Sequence, residues 1–220
     1  MSTLKRAFDL FWASMGMLLL WPVFVIVILA IKLDDGGPVF FRQERVGWRG
    51  RPFRMWKFRT MIPDAARFGR ITVENDARIT RVGRVLRRTK LDELPQLFNV
   101  LAGEMSLVGP RPPLASWVAV YTPEQRRVLD LIPGITDPAS LHHWGECALH
   151  GIADPERYYF ERLLPEKIDL SLAYAKRATL FTDTLLILRT LSALGRDAGS
   201  AAARRSPLLR RRHTVPGGMA

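Results

Sequence analysis

The sequence predicts an α+β protein, mostly helical, with an N-terminal membrane helix, a small β-hairpin and amphipathic surface helices. Three observations carry that prediction. Residues 10–31 contain no charged side chain, and at ~1.5 Å rise per residue such a run is about long enough to cross a bilayer. Gly47-Trp48-Arg49-Gly50 separates two β-prone segments, residues 39–41 and 53–58, as a hairpin turn does. Beyond them, apolar residues recur at helical spacing.

The membrane helix is the first element to justify. Pro22 lies in the middle of the apolar run. Proline lacks an amide proton and crowds the preceding turn, so a break or bend near Trp21 is expected. Lys5 and Arg6 precede the run, and Lys32 and an Arg-rich stretch from Arg42 follow it. Positive flanks favour the cytoplasmic side. A bent, re-entrant helix that enters and leaves by one face satisfies both flanks. A straight spanning helix satisfies only one, although proline is tolerated in spanning helices. Either way the larger basic part is cytoplasmic. A cleaved signal peptide is disfavoured, because the run is long and Lys32-Leu33-Asp34-Asp35 follows it instead of a small-residue cleavage site.

The later elements follow from spacing and caps. Residues 64–75 read as loop. Residues 80–88 place Val82, Val85 and Leu86 on one side and Arg81, Arg84, Arg87 and Arg88 mostly on the other. Thr89 reads as the N-cap of a second helix starting at Lys90. Asp92 then falls in the first turn, where the helix dipole favours the carboxylate. Residues 123–131 read as a helix stopped by Pro133-Gly134, and residues 163–194 as a long helical pattern bent around Thr179-Leu180-Phe181. Its apolar second part suits either the core or a membrane surface. The expected division is 1–35 membrane helix, 36–196 cytoplasmic domain and 197–220 disordered basic tail.

Composition narrows the partners. The 220 residues carry 33 Lys and Arg against 21 Asp and Glu, a net charge of +12, which favours anionic ligands or an anionic membrane surface. Nine Lys and Arg between residues 36 and 70 face only Glu44 and Asp64, a stripe that suits anionic lipid headgroups even without a substrate. Nucleic acid is not expected, since there is no helix-turn-helix pattern, RNP-like motif or zinc module. The single cysteine, Cys147, excludes an internal disulfide framework. His142 and His143 are adjacent rather than four apart, which argues against zinc. No G-x-G-x-x-G, P-loop or G-x-S-x-G motif is present.

Chemistry concentrates in Leu91-Asp92-Glu93-Leu94-Pro95-Gln96-Leu97-Phe98-Asn99-Val100-Leu101 and in Ser106-Leu107-Val108-Gly109-Pro110-Arg111-Pro112. Neighbours on a helix diverge by about 100°, so Asp92 and Glu93 reach one site only at a helix end or kink. Their context is cationic. Lys57 and Arg59 lie on the second predicted strand, Arg87 and Arg88 precede the pair, and prolines fix the backbone around Arg111. A carboxylate nucleophile among cations suits phosphoryl chemistry, because the cations neutralise the phosphate that the carboxylate attacks.

These residues resemble the bacterial sugar transferases, the monotopic phosphoglycosyl transferases. The ordered marks are Lys5-Arg6-Ala7-Phe8-Asp9, Gly37-Pro38-Val39-Phe40-Phe41-Arg42-Gln43, Arg45-Val46-Gly47, Lys57-Phe58-Arg59-Thr60-Met61, residues 91–101, residues 105–112 and Pro133-Gly134-Ile135-Thr136. The resemblance implies a re-entrant membrane helix broken at Pro22, on the cytoplasmic face of the inner membrane. It implies transfer of a sugar-1-phosphate from a UDP-sugar to undecaprenyl phosphate with release of UMP, the first step of exopolysaccharide or glycoconjugate synthesis. Asp92 matches the nucleophile that forms an aspartyl-phosphosugar intermediate, and Glu93 the second carboxylate, which positions or deprotonates the lipid phosphate. Lys57, Arg59, Arg88 and Arg111 match phosphate- and substrate-binding positions, and Mg²⁺, with Asp92 as a ligand, matches the cofactor.

Departures from the family pattern lie mostly downstream. Trp21 stands where serine often precedes the proline. Asp137-Pro138-Ala139-Ser140 replaces Gly-Trp-Ala-Gln after Thr136, and Ser171 replaces the aspartate of a late Asp-x-x-Tyr pattern. These bear on sugar or nucleotide recognition rather than on the nucleophile. The alternative reading is a catalytically inactive membrane scaffold of a polysaccharide assembly complex. The sugar, the polymer and homodimer formation are left open by the sequence.

Overall fold

A computed structural model of the chain describes residues 2–63, 65, 76–142 and 154–205. Most of the predicted loop 64–75, together with His143 and Cys147, lies outside the described residues. The first element, α1 (Thr3–Asp35), is one helix of 33 residues, capped by the Ser2 side chain and ended by Gly36 in the left-handed region. It is long and apolar enough to cross a membrane. It runs through Pro22 without interruption, so the expected break is not present. The proline deletes a single backbone bond, and packing on both sides of it holds the helix together. Ala13 packs with Phe53, Met55, Leu97 and Val100, and Phe24, Val27 and Ile31 pack with Phe58 and Leu86.

Both ends of α1 are tied to the same domain. Near its start, Arg6 donates to the carbonyls of Val100 and Leu101, and Asp9 accepts from the Leu107 amide. Near its end, Asp34 accepts from the Val82 amide and Asp35 pairs with Arg59. The opposite face, including Leu18, Leu19, Trp21, Ile26 and Leu29, is exposed.

The hairpin is longer than the sequence predicts. Strands β1 (Phe40–Val46) and β2 (Pro52–Phe58) pair antiparallel over their full lengths, from Phe40 opposite Phe58 to Val46 opposite Pro52. The charged stretch Arg42–Arg45 was not legible as strand because its pattern follows pairing and exposure, not core burial. Strand alternation points Phe53, Met55 and Lys57 to one face. Next, α2 (Arg81–Thr89) fills the predicted 80–88 helix, is capped by Thr80 and lies close to the end of β2. Gly83 allows that approach, since a Cβ there would meet the Thr60 carbonyl oxygen at 2.1 Å.

Thr89 is not an N-cap. It ends α2, with its hydroxyl donating to the carbonyls of Val85 and Leu86. Lys90 adopts a left-handed φ of 57°, and a 3₁₀ turn (Leu91–Glu93) follows before α3 (Gln96–Ala102). The fully buried Asn99 joins α3 to β2 by accepting from the Trp56 amide and donating to the Arg54 carbonyl.

A second, parallel pair joins β3 (Ser106–Val108) to β4 (Gly134–Thr136). Between them come α4 (Ala115–Val118) and α5 (Pro123–Arg126), the latter continued by a 3₁₀ turn (Arg127–Asp130), which together fill most of the predicted 123–131 helix. After β4 follow α6 (Pro138–His142), α7 (Pro155–Tyr158), a π turn (Tyr159–Leu163), α8 (Leu164–Ala175) and α9 (Leu180–Arg205). The bend predicted near Thr179 is the gap between α8 and α9. Helix α9 takes the core role of the two expected, burying Leu186 and Ala193, while Phe181, Leu188 and Leu191 stay exposed. Its backbone continues to Arg205, past the start of the predicted disordered tail, consistent with the high helix propensity of Ala201, Ala202 and Ala203.

Candidate active site

The left-handed Lys90 turns the chain sharply between α2 and the 3₁₀ turn, and this reversal puts two adjacent carboxylates at one site. Leu91 and Leu94 pack against the α1 cluster, which seats the turn on that helix. Asp92 is buried and Glu93 is half-buried.

The two carboxylates have opposite surroundings. Glu93 accepts from Lys57 Nζ at 3.0 Å and from Arg111 Nη2 at 2.6 Å. Burial alone would raise the Glu93 carboxyl, but Arg111 and Lys57 hold it well below the usual carboxylate range. Asp92 accepts no hydrogen bond and makes no ion pair among the described residues. Burial pushes its carboxyl up, with Glu93 adding to the rise and Lys57, Lys90 and Arg87 opposing it. The expected helix-dipole stabilisation of Asp92 is therefore not what sets its charge, because no α-helix begins at Lys90. Burial also lowers Lys57, against the pull of Glu93.

Arg111 is held by its backbone from two sides. Gly109 donates to the Thr136 carbonyl at 3.0 Å and Gly134 to the Pro110 carbonyl at 2.9 Å, which fixes the corner to the parallel pair. Only glycines permit this approach, since a Cβ on Gly134 would lie 2.0 Å from the Gly109 nitrogen. On the other side, Val46 donates to the Pro113 carbonyl at 2.9 Å and Arg45 Nη1 to the Pro112 carbonyl at 3.0 Å. Burial and the neighbouring Arg111 lower Arg45 to about 10.

The sequence-predicted residues divide. Asp92, Glu93, Lys57 and Arg111 come together. Arg59 does not join them. It is buried at the end of α1, paired with Asp35. Arg88 stands exposed on α2, without a hydrogen bond or ion pair among the described residues. One residue turns a helix by about 100°, and it is Arg87 that faces inward, donating from Nε to Thr60 Oγ1 at 2.9 Å and attracting Asp92. Sequence reasoning did not single out Arg45, although its Arg45-Val46-Gly47 motif was visible. Pro22 lies exposed within α1. Among the described residues, no cluster of three or more His, Cys, Asp or Glu side chains forms a metal cage. Mg²⁺ does not require one, as it keeps water and takes one or two carboxylates with substrate phosphates. Asp92, the carboxylate without a cationic partner, fits that role.

The downstream departures also converge. Asp137 and Ser171 are hydrogen-bonded, Ser171 Oγ donating to Asp137 Oδ2 at 3.1 Å, and Asp137 Oδ1 accepts from the Ser140 amide at 2.7 Å. All three line a cavity of about 290 Å³ that also touches Arg45 and Arg111.

A carboxylate pair held among cations beside a long apolar helix suits phosphate chemistry. The family model for bacterial sugar transferases matches residues 1–197, and the chain belongs to that family. It is 34% identical over 212 residues to the exopolysaccharide production protein ExoY of Rhizobium meliloti (strain 1021), covering 89% of this chain and 87% of that one. It is 42% identical over 149 residues to a UDP-glucose:undecaprenyl-phosphate glucose-1-phosphate transferase of Escherichia coli (strain K12), covering 64% of this chain but 31% of that protein. It is 37% identical over 194 residues to a UDP-N-acetylgalactosamine-undecaprenyl-phosphate N-acetylgalactosaminephosphotransferase of Aeromonas hydrophila, covering 86% of this chain and 43% of that protein. The chain thus spans less than half of these two longer relatives.

Proposed function

We propose that the protein is a phosphoglycosyl transferase that moves a sugar-1-phosphate from a UDP-sugar to undecaprenyl phosphate and so initiates exopolysaccharide or glycoconjugate synthesis. The observation that carries this reading is the inequality of the two carboxylates. Glu93 is committed to Lys57 and Arg111, whereas Asp92 is uncommitted beside the same cations. Pairs whose surroundings drive their charges apart are how one site assigns two roles. An Asp92 oxygen attacks the β-phosphorus, the bond to the bridging oxygen breaks, and UMP leaves with that oxygen. The aspartyl-phosphosugar then yields its phosphorus to an oxygen of the lipid phosphate, which restores the Asp92 carboxylate. Splitting the transfer keeps the two anionic substrates apart in time.

Glu93 is too acidic to be an effective base, so its part is to aim Lys57 and Arg111 at phosphate. When bound, Mg²⁺ supplies charge neutralisation on the diphosphate, with Asp92 as its protein ligand. The attachment of both ends of α1 to one domain supports a helix seated in a single leaflet, its exposed apolar face in lipid and both basic flanks on the cytoplasmic side of the inner membrane. Such seating raises the effective concentration of a lipid acceptor confined to the bilayer.

The test is intact-protein mass spectrometry of the full chain in detergent or nanodiscs, incubated with a panel of UDP-sugars and Mg²⁺ but no acceptor. A mass increase of one phosphosugar, absent in Asp92→Asn, is expected. Normal turnover by Asp92→Asn overturns the covalent route.

A further inference from the structure

The cavity beside Arg111 is lined by the Pro110–Pro113 corner and runs to α8. Its volume, about 290 Å³, is at the lower end of small-molecule sites. Its lining contains three cations, Arg45, Arg111 and Lys167, against one carboxylate, Asp137. Two of the cations are already partnered, Arg111 by Glu93 and Arg45 by Gln43 and the Pro112 carbonyl. Lys167 is different. It is half-buried, its ammonium sits 5.4 Å from the centre of the Tyr159 ring, and it has no ion pair among the described residues. The wall beside it is aromatic, with Trp117 and Tyr159 ring centres 4.8 Å apart.

No residue of α1 or α9 lines this cavity. The dyad's other side, through Leu91 and Leu94, rests on α1. The cavity therefore meets the dyad at Arg111, the partner of Glu93, without touching the apolar helix α1. The donor's two halves differ in what they demand. The sugar presents hydroxyls and asks for hydrogen-bonding partners. The nucleotide half carries the charge that grows on the departing phosphate and a planar base, which suit cations and aromatic faces.

We propose that this cavity seats the nucleotide half of the donor, with Lys167 and Arg45 holding the departing phosphate and Trp117 and Tyr159 forming the wall for the pyrimidine. The proposal rests on the phosphoglycosyl transferase reading, and it makes Lys167 and Trp117 binding residues that no sequence motif marked. Asp137, held by Ser140 and Ser171, keeps lone pairs free to accept from the nucleoside.

The test is calorimetric titration of the full chain in nanodiscs with UMP, with uridine and with glucose 1-phosphate. Lys167→Met should weaken UMP about tenfold and leave uridine nearly unchanged, the pattern for loss of one charge-assisted contact to phosphate. Trp117→Ala should weaken both UMP and uridine, and Trp117→Phe, which keeps the packing on Tyr159, should recover most of that loss. Unchanged UMP binding in both Lys167→Met and Trp117→Ala overturns the proposal, as does weakening confined to glucose 1-phosphate. The mass-spectrometric adduct separates the two levels. Adduct formation with unaltered UMP binding rejects the subsite alone. UMP binding that depends on Lys167, without any adduct, rejects the covalent route and keeps the subsite.

Discussion

Two buried charge clusters, one at the start of α1 and one at the 3₁₀ turn before α3, differ in what is left over. In one, Lys5 pairs with Asp183 at 2.7 Å, Tyr174 donates to the other oxygen of Asp183 at 2.7 Å, and Asp9 lies 3.7 Å from the same lysine. Asp9 is fully buried, and its Oδ2 has no hydrogen-bond partner among the described residues. In the other cluster the carboxylate without a partner, Asp92, keeps a little exposure and sits beside a cationic corner open to solvent. Both clusters are rich in charge, but only the second pairs an uncommitted carboxylate with access. The first is a clasp that fastens the start of α1 to α9. The second is a place where a phosphate can enter.

Substitution should separate clasp from site. The largest effect is expected at Asp92, where Asn should lower UMP release by about 10³-fold or more, the scale for removing a nucleophile. Next comes Asp183→Ala, which strands Tyr174 and leaves Lys5 only its longer contact with Asp9. It should cost about 2–3 kcal/mol of stability, as breaking a largely buried ion pair does, read as a lower unfolding midpoint in nanodiscs. Its adduct yield per folded molecule should stay within about twofold of wild type, a surface-like additivity between distant sites. If Asp183→Ala instead abolishes the adduct while folded, the two clusters are coupled and the contrast drawn above is lost. Glu93→Gln should fall between them. The adduct still forms, but turnover should drop about 10–100-fold, because Lys57 and Arg111 lose the group that aims them at phosphate.

Much of the site was readable because its chemistry is local in sequence. Asp92, Glu93 and Arg111 sit in two short motifs, and Lys57 follows Phe53 and Met55 by strand alternation. The break before α9 follows from equally local rules. What stayed hidden depended on tertiary context. Lys90 takes a left-handed φ that favours glycine or asparagine, so the turn looked like a helix start. Arg87 and Arg88 are adjacent, and only the packing of α2 against Thr60 decides which one turns inward. Arg59 carries the same charge as Lys57 two residues earlier, yet Asp35 at the end of α1 claims it. The cavity draws on residues from Arg45 to Ser171, a spread that no motif can announce.

The smallest expected effect tests the dyad's asymmetry most directly, through stability against pH. The folded Asp92 carboxyl titrates above its ordinary value, chiefly through burial, and the folded Glu93 carboxyl well below, through Arg111 and Lys57 overcoming burial. For Asp92, wild type and Asp92→Asn should be equally stable below the unfolded carboxyl value of ~3.9, where the group is neutral in both states. As pH rises through the raised folded value, wild type ionises in a site that resists the charge, and Asn gains an advantage of about 1 kcal/mol, the scale for an unpartnered buried polar group. For Glu93 the sign reverses. Its contribution is present above the unfolded value of ~4.3 and is lost as pH falls through the depressed folded value. Glu93→Gln should therefore be less stable than wild type at pH 7 by about 2 kcal/mol, within the range for a partly buried charged hydrogen bond, with the gap closing in acid. Unfolding midpoints of both variants across pH 3.5–8 give two curves of opposite slope if neighbouring carboxylates truly hold unequal roles. Parallel curves would mean that the cations serve both alike, and the assignment of nucleophile and aiming residue would have no physical basis.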